Sequence, residues 1–163
     1  MRKLISCLLV LPAITWAGES AWKIEAGEGE FETVVSLSQD AANTIKDESF
    51  SKDVTPRLSF SCSQGDTAVL ASIDWRRFIS SFSTEIGIKV DDGKFTWVKW
   101  KMDGSEKVTI SPSADDTKKL VELLSSGERL RVEISPYSEG PVEVQFDLNG
   151  LAVGLIELEK TCQ

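Results

Sequence analysis

From Arg57 onward the chain alternates apolar and polar residues in short runs broken by turn residues, and this period of two restricts the fold more than any other feature. In Arg57-Leu58-Ser59-Phe60-Ser61-Cys62, the residues Leu58, Phe60 and Cys62 fall on one strand face. A turn at Gln64-Gly65-Asp66 leads into residues 67–75, which place Val69, Ala71, Ile73 and Trp75 on one side. Residues 85–90 send Ile86, Ile88 and Val90 inward, Asp91-Asp92-Gly93 signals a hairpin, and residues 94–101 form the returning strand. A short strand at 108–110 follows the Asp103-Gly104 turn. Two more strands are predicted from Leu130, Val132 and Ile134, and from Val142, Val144, Phe146 and Leu148.

Helical signals occur twice. Ser111-Pro112-Ser113 followed by Asp115 and Asp116 reads as a helix start, because serine caps, proline suits the first turn and carboxylates favour the positive end. Thr117, Leu120, Val121 and Leu124 keep the 3.6 period, and Gly127 is a natural terminator. The tail from Leu151 is a second helix with Leu151, Leu155, Leu158 and Cys162 on one face; Gly154 weakens it by roughly 1 kcal/mol relative to alanine. Upstream, a short strand is expected around Trp22 and Ile24 and another over 31–37. Residues 38–56 are polar and read as a loop with one helical turn near 41–46. The expectation is an α+β fold, mostly β: an antiparallel sheet or partial β-sandwich covered by two helices, in one domain over 18–163.

Residues 1–17, MRKLISCLLVLPAITWA, have the form of a cleaved signal peptide. Arg2 and Lys3 supply the positive end, 4–11 the apolar stretch, and Thr15-Trp16-Ala17 the small residues at the positions a signal peptidase reads. The apolar run is shorter than the roughly 18–20 residues of a membrane span. Cleavage takes the net charge from -8 to -10, because both leader charges are basic, and leaves two cysteines, Cys62 and Cys162. An even pair in an exported chain reads as a disulfide, and both residues share faces with core leucines or phenylalanine. The alternative is two buried free thiols. The expected compartment is the bacterial periplasm, with no integral membrane anchorage after cleavage.

Composition removes several functions. The chain has no histidine, which excludes Ser-His-Asp and Cys-His catalysis and His-containing metal sites within it. Its acidity argues against a nucleic-acid partner, since that affinity rests on basic groups. The adjacent pairs Asp91-Asp92 and Asp115-Asp116 lack the across-cleft placement of a glycosidase, and a turn and a helix cap explain them. The 91–92 turn has too few suitable oxygens for calcium. No catalytic residue, cofactor or metal is expected.

The order and spacing of several landmarks resemble the periplasmic type VI secretion-associated family called VasI or TagO. The matching string runs Pro56-Arg57-Leu58-Ser59-Phe60-Ser61-Cys62, then Ile73-Asp74-Trp75-Arg76-Arg77-Phe78-Ile79, then Ile86-Gly87-Ile88-Lys89-Val90-Asp91-Asp92 and Trp97. It continues through Leu130-Arg131-Val132, Pro136-Tyr137, Pro141, Phe146-Asp147-Leu148-Asn149-Gly150-Leu151 and Cys162. Lys89 departs from the pattern, which usually has arginine there. The resemblance implies an exported accessory protein of a contractile secretion apparatus, without established enzymatic chemistry.

The candidate partner-binding residues are Trp97, Trp100, Asp91, Asp92, Tyr137 and Arg76. Phe95 and Trp97 face one way on their strand, while Val98 and Trp100 face the other; either both faces are covered or one tryptophan is exposed beside Asp91, Asp92 and Asp103. Tyr137, the only tyrosine, lies in the rigid loop Pro136-Tyr137-Ser138-Glu139-Gly140-Pro141, as an interface anchor or packed over the sheet edge. Arg76-Arg77 forms a solvated face or a salt-bridged partner site. The leading function is a non-enzymatic accessory that binds a protein of the envelope, with peptidoglycan or another glycan as a further ligand class. The alternative is a periplasmic inhibitor of a basic, lysozyme-like wall hydrolase, drawn in by charge.

Overall fold

The computed structural model describes residues 21–28 and 33–163. The leader at 1–17 and the start of the expected 31–37 strand lie outside these residues. The elements, in chain order, are β1 (Lys23–Glu28), β2 (Thr33–Asp40), β3 (Ile45–Asp47), β4 (Lys52–Val54), β5 (Arg57–Ser63), β6 (Leu70–Asp74) and β7 (Thr84–Val90). They continue with β8 (Thr96–Met102), β9 (Val108–Ile110), α1 (Ala114–Leu124), β10 (Arg129–Ile134), β11 (Val142–Asp147) and α2 (Leu151–Cys162). Among the described residues, nine strands form one antiparallel sheet in the order β1-β2-β5-β6-β9-β8-β7-β10-β11, and β3-β4 is a separate hairpin. The predicted α+β class, a mostly antiparallel sheet with two helices packed against it, is therefore what the chain adopts.

The alternation sets which face is buried. Register pairs Leu37 with Phe60, Leu58 with Ile73, Ile73 with Thr109, Ile86 with Val98 and Ile88 with Val132, so one continuous inner face runs across the sheet. Trp75 is fully buried on this side and its indole donates to Thr109 Oγ1 at 3.0 Å. The opposite face carries Ser36, Ser59, Ser61 and Ser72 on one half. On the other half it carries Glu85, Lys89, Trp97, Arg131 and Glu133.

The sheet rolls far enough for its last strand to meet the segment that follows β2. The Ala42 amide donates to the Gln145 carbonyl at 2.8 Å. Asn43 donates to the Glu143 carbonyl at 3.0 Å and accepts from the Gln145 amide at 2.9 Å. Gln39 Oε1 accepts from the Asp147 amide at 2.9 Å, and the Trp22 indole donates to the Asp147 carbonyl at 3.0 Å. Side-chain amides here do the work of a strand ladder, satisfying an edge that otherwise invites foreign strands.

This seam corrects the expected loop at 38–56. Strand β2 continues to Asp40, residues 41–44 form a bend and not the expected helical turn, and β3 and β4 make a hairpin within the expected loop. The sequence looks polar there because its few anchors, Ala41, Ile45, Asp47 and Val54, are spread out; each is buried.

Ser113 caps α1, accepting from the Asp116 amide, while Pro112 precedes the cap instead of opening the helix. Helix α2 starts after Gly150 at φ 87 and lies over β2 and β5. Its last residue, Cys162, is disulfide-bonded to Cys62 of β5, with Cα atoms 6.0 Å apart. Among the described residues no helix is long and apolar enough to cross a membrane.

Candidate functional site: an aromatic platform on the outer sheet face

Residues 95–100 resolve into two tryptophans with opposite surroundings. Trp100 and Val98 share the inner face with Ile86 and Ile88, and Trp100 is only 3 % exposed. Helix α1 lies over this region, leaving a groove of about 380 Å³ lined by Ile88, Val98, Trp100, Leu120 and Leu123 among others. Trp100 is thus a core residue and is corrected as a partner-binding candidate: the strand has one covered face, and its ring points into it.

Trp97 lies on the uncovered face and is 48 % exposed. Its register partner across β7 is Gly87, and the ring occupies the space a side chain would take there. A Cβ on Gly87 would come within 3.0 Å of Trp97 Cη2 and of Phe95 Cδ1. The rings of Phe95 and Trp97 are 6.0 Å apart at an interplanar angle of 33°, and Lys89 Nζ stands 5.6 Å from the Phe95 centroid. Glycine in mid-strand lets the aromatic pair lie down on the sheet, and the pair in turn covers backbone that glycine would leave bare. Gly87 is also the register partner of Glu133, which pairs with Glu143, while Arg131 pairs with Lys89 and approaches Glu143 at 3.8 Å. The result is a fixed aromatic surface bordered by charges of both signs. It can bury an apolar group or stack on a flat ring while hydrogen-bonding at its rim.

The remaining candidates are dispersed. Asp91, at φ 48 in the β7–β8 turn, accepts from the Arg129 amide at 2.9 Å and from the Glu128 amide at 3.2 Å. Its carboxylate fixes the corner between α1 and β10, so Asp91 is corrected from a partner contact to a structural one. Asp92 is exposed beside it in the turn. Asp103 accepts from Ser105 Oγ at 2.7 Å and from the Val108 amide at 3.2 Å, closing the β8–β9 turn.

At the same end of the sheet as the β8–β9 turn, Arg76 donates to Asp40 Oδ1 at 3.1 Å, and Asp40 also receives two hydrogen bonds from Arg57 at 2.8 and 3.2 Å. Arg76 belongs to this ion-pair cluster. The Arg57 hydrogen bond holds the Asp40 carboxyl below its ordinary value of 3.8, with charge attraction from Arg57 and Arg76 adding to it, and Asp40 raises Arg57 in return. Tyr137 is 70 % exposed and is not packed on the sheet edge; its amide donates to the Ile79 carbonyl at 2.8 Å.

Arg77, read with Arg76 as part of a surface face, has a side chain only 2 % exposed. Sequence reasoning missed this, and also missed Gly87, Phe50 and Phe82. The glycine between two isoleucines in β7 was the available signal, since an interrupted strand often marks close approach of another group. Among the described residues no group of three or more cysteines or carboxylates is placed to hold a metal ion.

No family model matches the chain, and no curated protein matches it. Among solved structures, the crystal structure of invasion-associated protein B from Bartonella henselae is similar, with a TM-score of 0.52. It is 18 % identical, and the likeness covers 85 % of this chain and 90 % of that one. At this identity the likeness shows a shared fold.

Proposed function

We propose that the chain is an exported, non-enzymatic accessory protein of the bacterial envelope that binds a protein partner through the Trp97 platform. The observation that carries this reading is Trp97 itself. A tryptophan held half-exposed over a glycine, on a face that no helix covers among the described residues, has its conformational cost met before any partner arrives. The leader-like residues 1–17 and the disulfide support an oxidising compartment, the periplasm. Association with type VI secretion rests on the resemblance in residues 56–162 alone. Invasion-associated protein B contributes the fold to this reading and no more.

The test is crosslinking in the periplasm of intact cells, followed by recovery of the tagged protein and mass spectrometry, with W97A in parallel. Secretion membrane or baseplate subunits that are recovered with the native chain and lost with W97A support the proposal in full. Another envelope protein with the same dependence supports the platform and removes the secretion assignment. A partner set unchanged by W97A refutes the platform. Recovery of a basic wall hydrolase favours the inhibitor reading, which then requires near-stoichiometric inhibition that persists at moderate salt.

A further inference from the structure

The two edges of strand β8 are covered unequally. Residues 96–100 pair with β7 on one side. On the other side β9 pairs only with Lys101 and Met102, and the chain then leaves the sheet for α1. The Asp103 amide donates to the Val108 carbonyl at 3.0 Å, so the alternation of the ladder turns the backbone N–H and C=O groups of Lys101, Lys99 and Trp97 toward the β9 side. Strand β7 gives the same parity: the Asp91 amide turns to Arg129 of β10, which leaves Ile86 and Ile88 to bond their register partners Val98 and Thr96. Lys101 has Ile110 opposite it, but among the described residues nothing hydrogen-bonds the backbone of Lys99 or Trp97 on that side.

This open edge borders the groove of about 380 Å³ beside α1. Lys99 lines the groove although its side chain falls on the outer face with Trp97, so the strand's own backbone supplies one wall. Leu120 and Leu123 of α1 supply the opposite wall, and Ile88, Val98 and Trp100 the apolar floor. Leu123 is 41 % exposed, an apolar side chain left in water at the groove's mouth. The charged residues of the lining are Lys99, Lys119 and Asp116. Asp116 already accepts from Ser113 Oγ at 2.7 Å and lies 3.5 Å from Lys119, while Lys101 Nζ donates to the carbonyl of Pro112 at one end of the groove.

We infer that this groove binds an extended peptide segment of a partner protein, which adds a strand to β8 between that strand and α1. The open ladder decides the chemistry of the occupant. Its spaced backbone donors and acceptors are matched by another chain in extended conformation. A helix satisfies its backbone internally, and an acyl chain has no such groups, so neither answers them. Strand alternation sends every second side chain of the segment into the groove against Val98, Trp100 and Leu123, and those side chains are apolar. Two lysines line the groove, a third lies at its end, and the one carboxylate is already paired, so the segment carries acidic and not basic residues beside them. The inference goes beyond the Trp97 platform, because it uses the backbone and inner side of β8 and holds with or without the indole.

The test selects random peptides displayed on phage against the purified protein and follows the enriched sequence as a synthetic peptide with blocked ends. That sequence is expected to alternate apolar and polar residues. N-methylation of alternate backbone amides of the peptide is expected to weaken binding about tenfold in one register and little in the other, because only one set of amides faces the ladder. Hydrogen exchange followed by NMR is expected to slow at the amides of Trp97 and Lys99 when the peptide binds. L123E, melting like the native protein, is expected to weaken binding about tenfold by placing a charge in the apolar mouth. W97A is expected to change it less than about threefold, so loss of the platform's partner and loss of this peptide are separate results. No enriched peptide, equal effects of N-methylation in both registers, or unchanged exchange at Trp97 and Lys99 would overturn the inference. Slowed exchange at those amides on raising the protein concentration alone would assign the edge to a second copy and overturn it as well.

Discussion

Replacing Trp97 by alanine removes a ring that is half in solvent, whereas replacing Trp100 empties a site enclosed by Ile86, Val98 and α1. W97A is expected to leave the melting temperature within a few degrees of the native value. W100A is expected to cost about 3–5 kcal/mol, as for other large-to-small core changes. Thermal melts of the two variants side by side check this, and equal losses would contradict the two-faced reading of β8. That alternation put the two rings on opposite faces was legible in the sequence; which face would be covered was not, because α1 reaches Trp100 only through tertiary packing. Asp40 gives a pH-dependent prediction. Its folded carboxyl titrates below its unfolded value of 3.8, so the stability it contributes is present above that value and lost as pH falls through the lowered one. The effect is small, since Arg57 and Asp40 are both more than a third exposed. In melts taken from roughly pH 5 down to pH 2, D40N is expected to lose less stability than the native chain.

Helix α2 shows how an element's propensity and its packing can disagree. Glycine inside a helix costs roughly 1 kcal/mol relative to alanine, so G154A should stabilise an isolated α2. In the folded chain a Cβ on Gly154 would fall 2.7 Å from Leu37 Cδ1 and 2.9 Å from Leu37 Cδ2. G154A is therefore expected to lower stability, and to cost less in an L37A background, where the obstructing methyls are gone. A double-mutant cycle by denaturant unfolding measures that coupling. The leucine face of α2 was readable from its spacing. The reason for its glycine was not, because it depends on how closely the helix approaches β2. The 38–56 segment illustrates the same limit: Ile45 and Val54 are too isolated for periodicity to reveal, and their hairpin exists because Arg77 and the β11 edge hold that segment in place.

Across the whole molecule, the disulfide links the final helix to a strand one hundred residues earlier. A loop of that length contributes about 4.7 kcal/mol in the chain-entropy model. Reduction, or the C62A/C162A variant, is expected to lower the melting temperature markedly and to expose amides of α2 first in hydrogen exchange. An unchanged melting curve would show that packing alone holds the helix. Local spacing by itself determined the strands after Arg57, both helices, the inward placement of Cys62 and Cys162, and the mostly antiparallel class. Period and turn chemistry act over a few residues and need no partner to be recognised. Only the tertiary structure decided which face of β8 stayed open, that Arg77 is buried between the β3–β4 hairpin and Glu139, and that Gln39 and Asn43 close the sheet. Each of these depends on groups distant in sequence meeting across a rolled sheet, and register and curvature set those meetings.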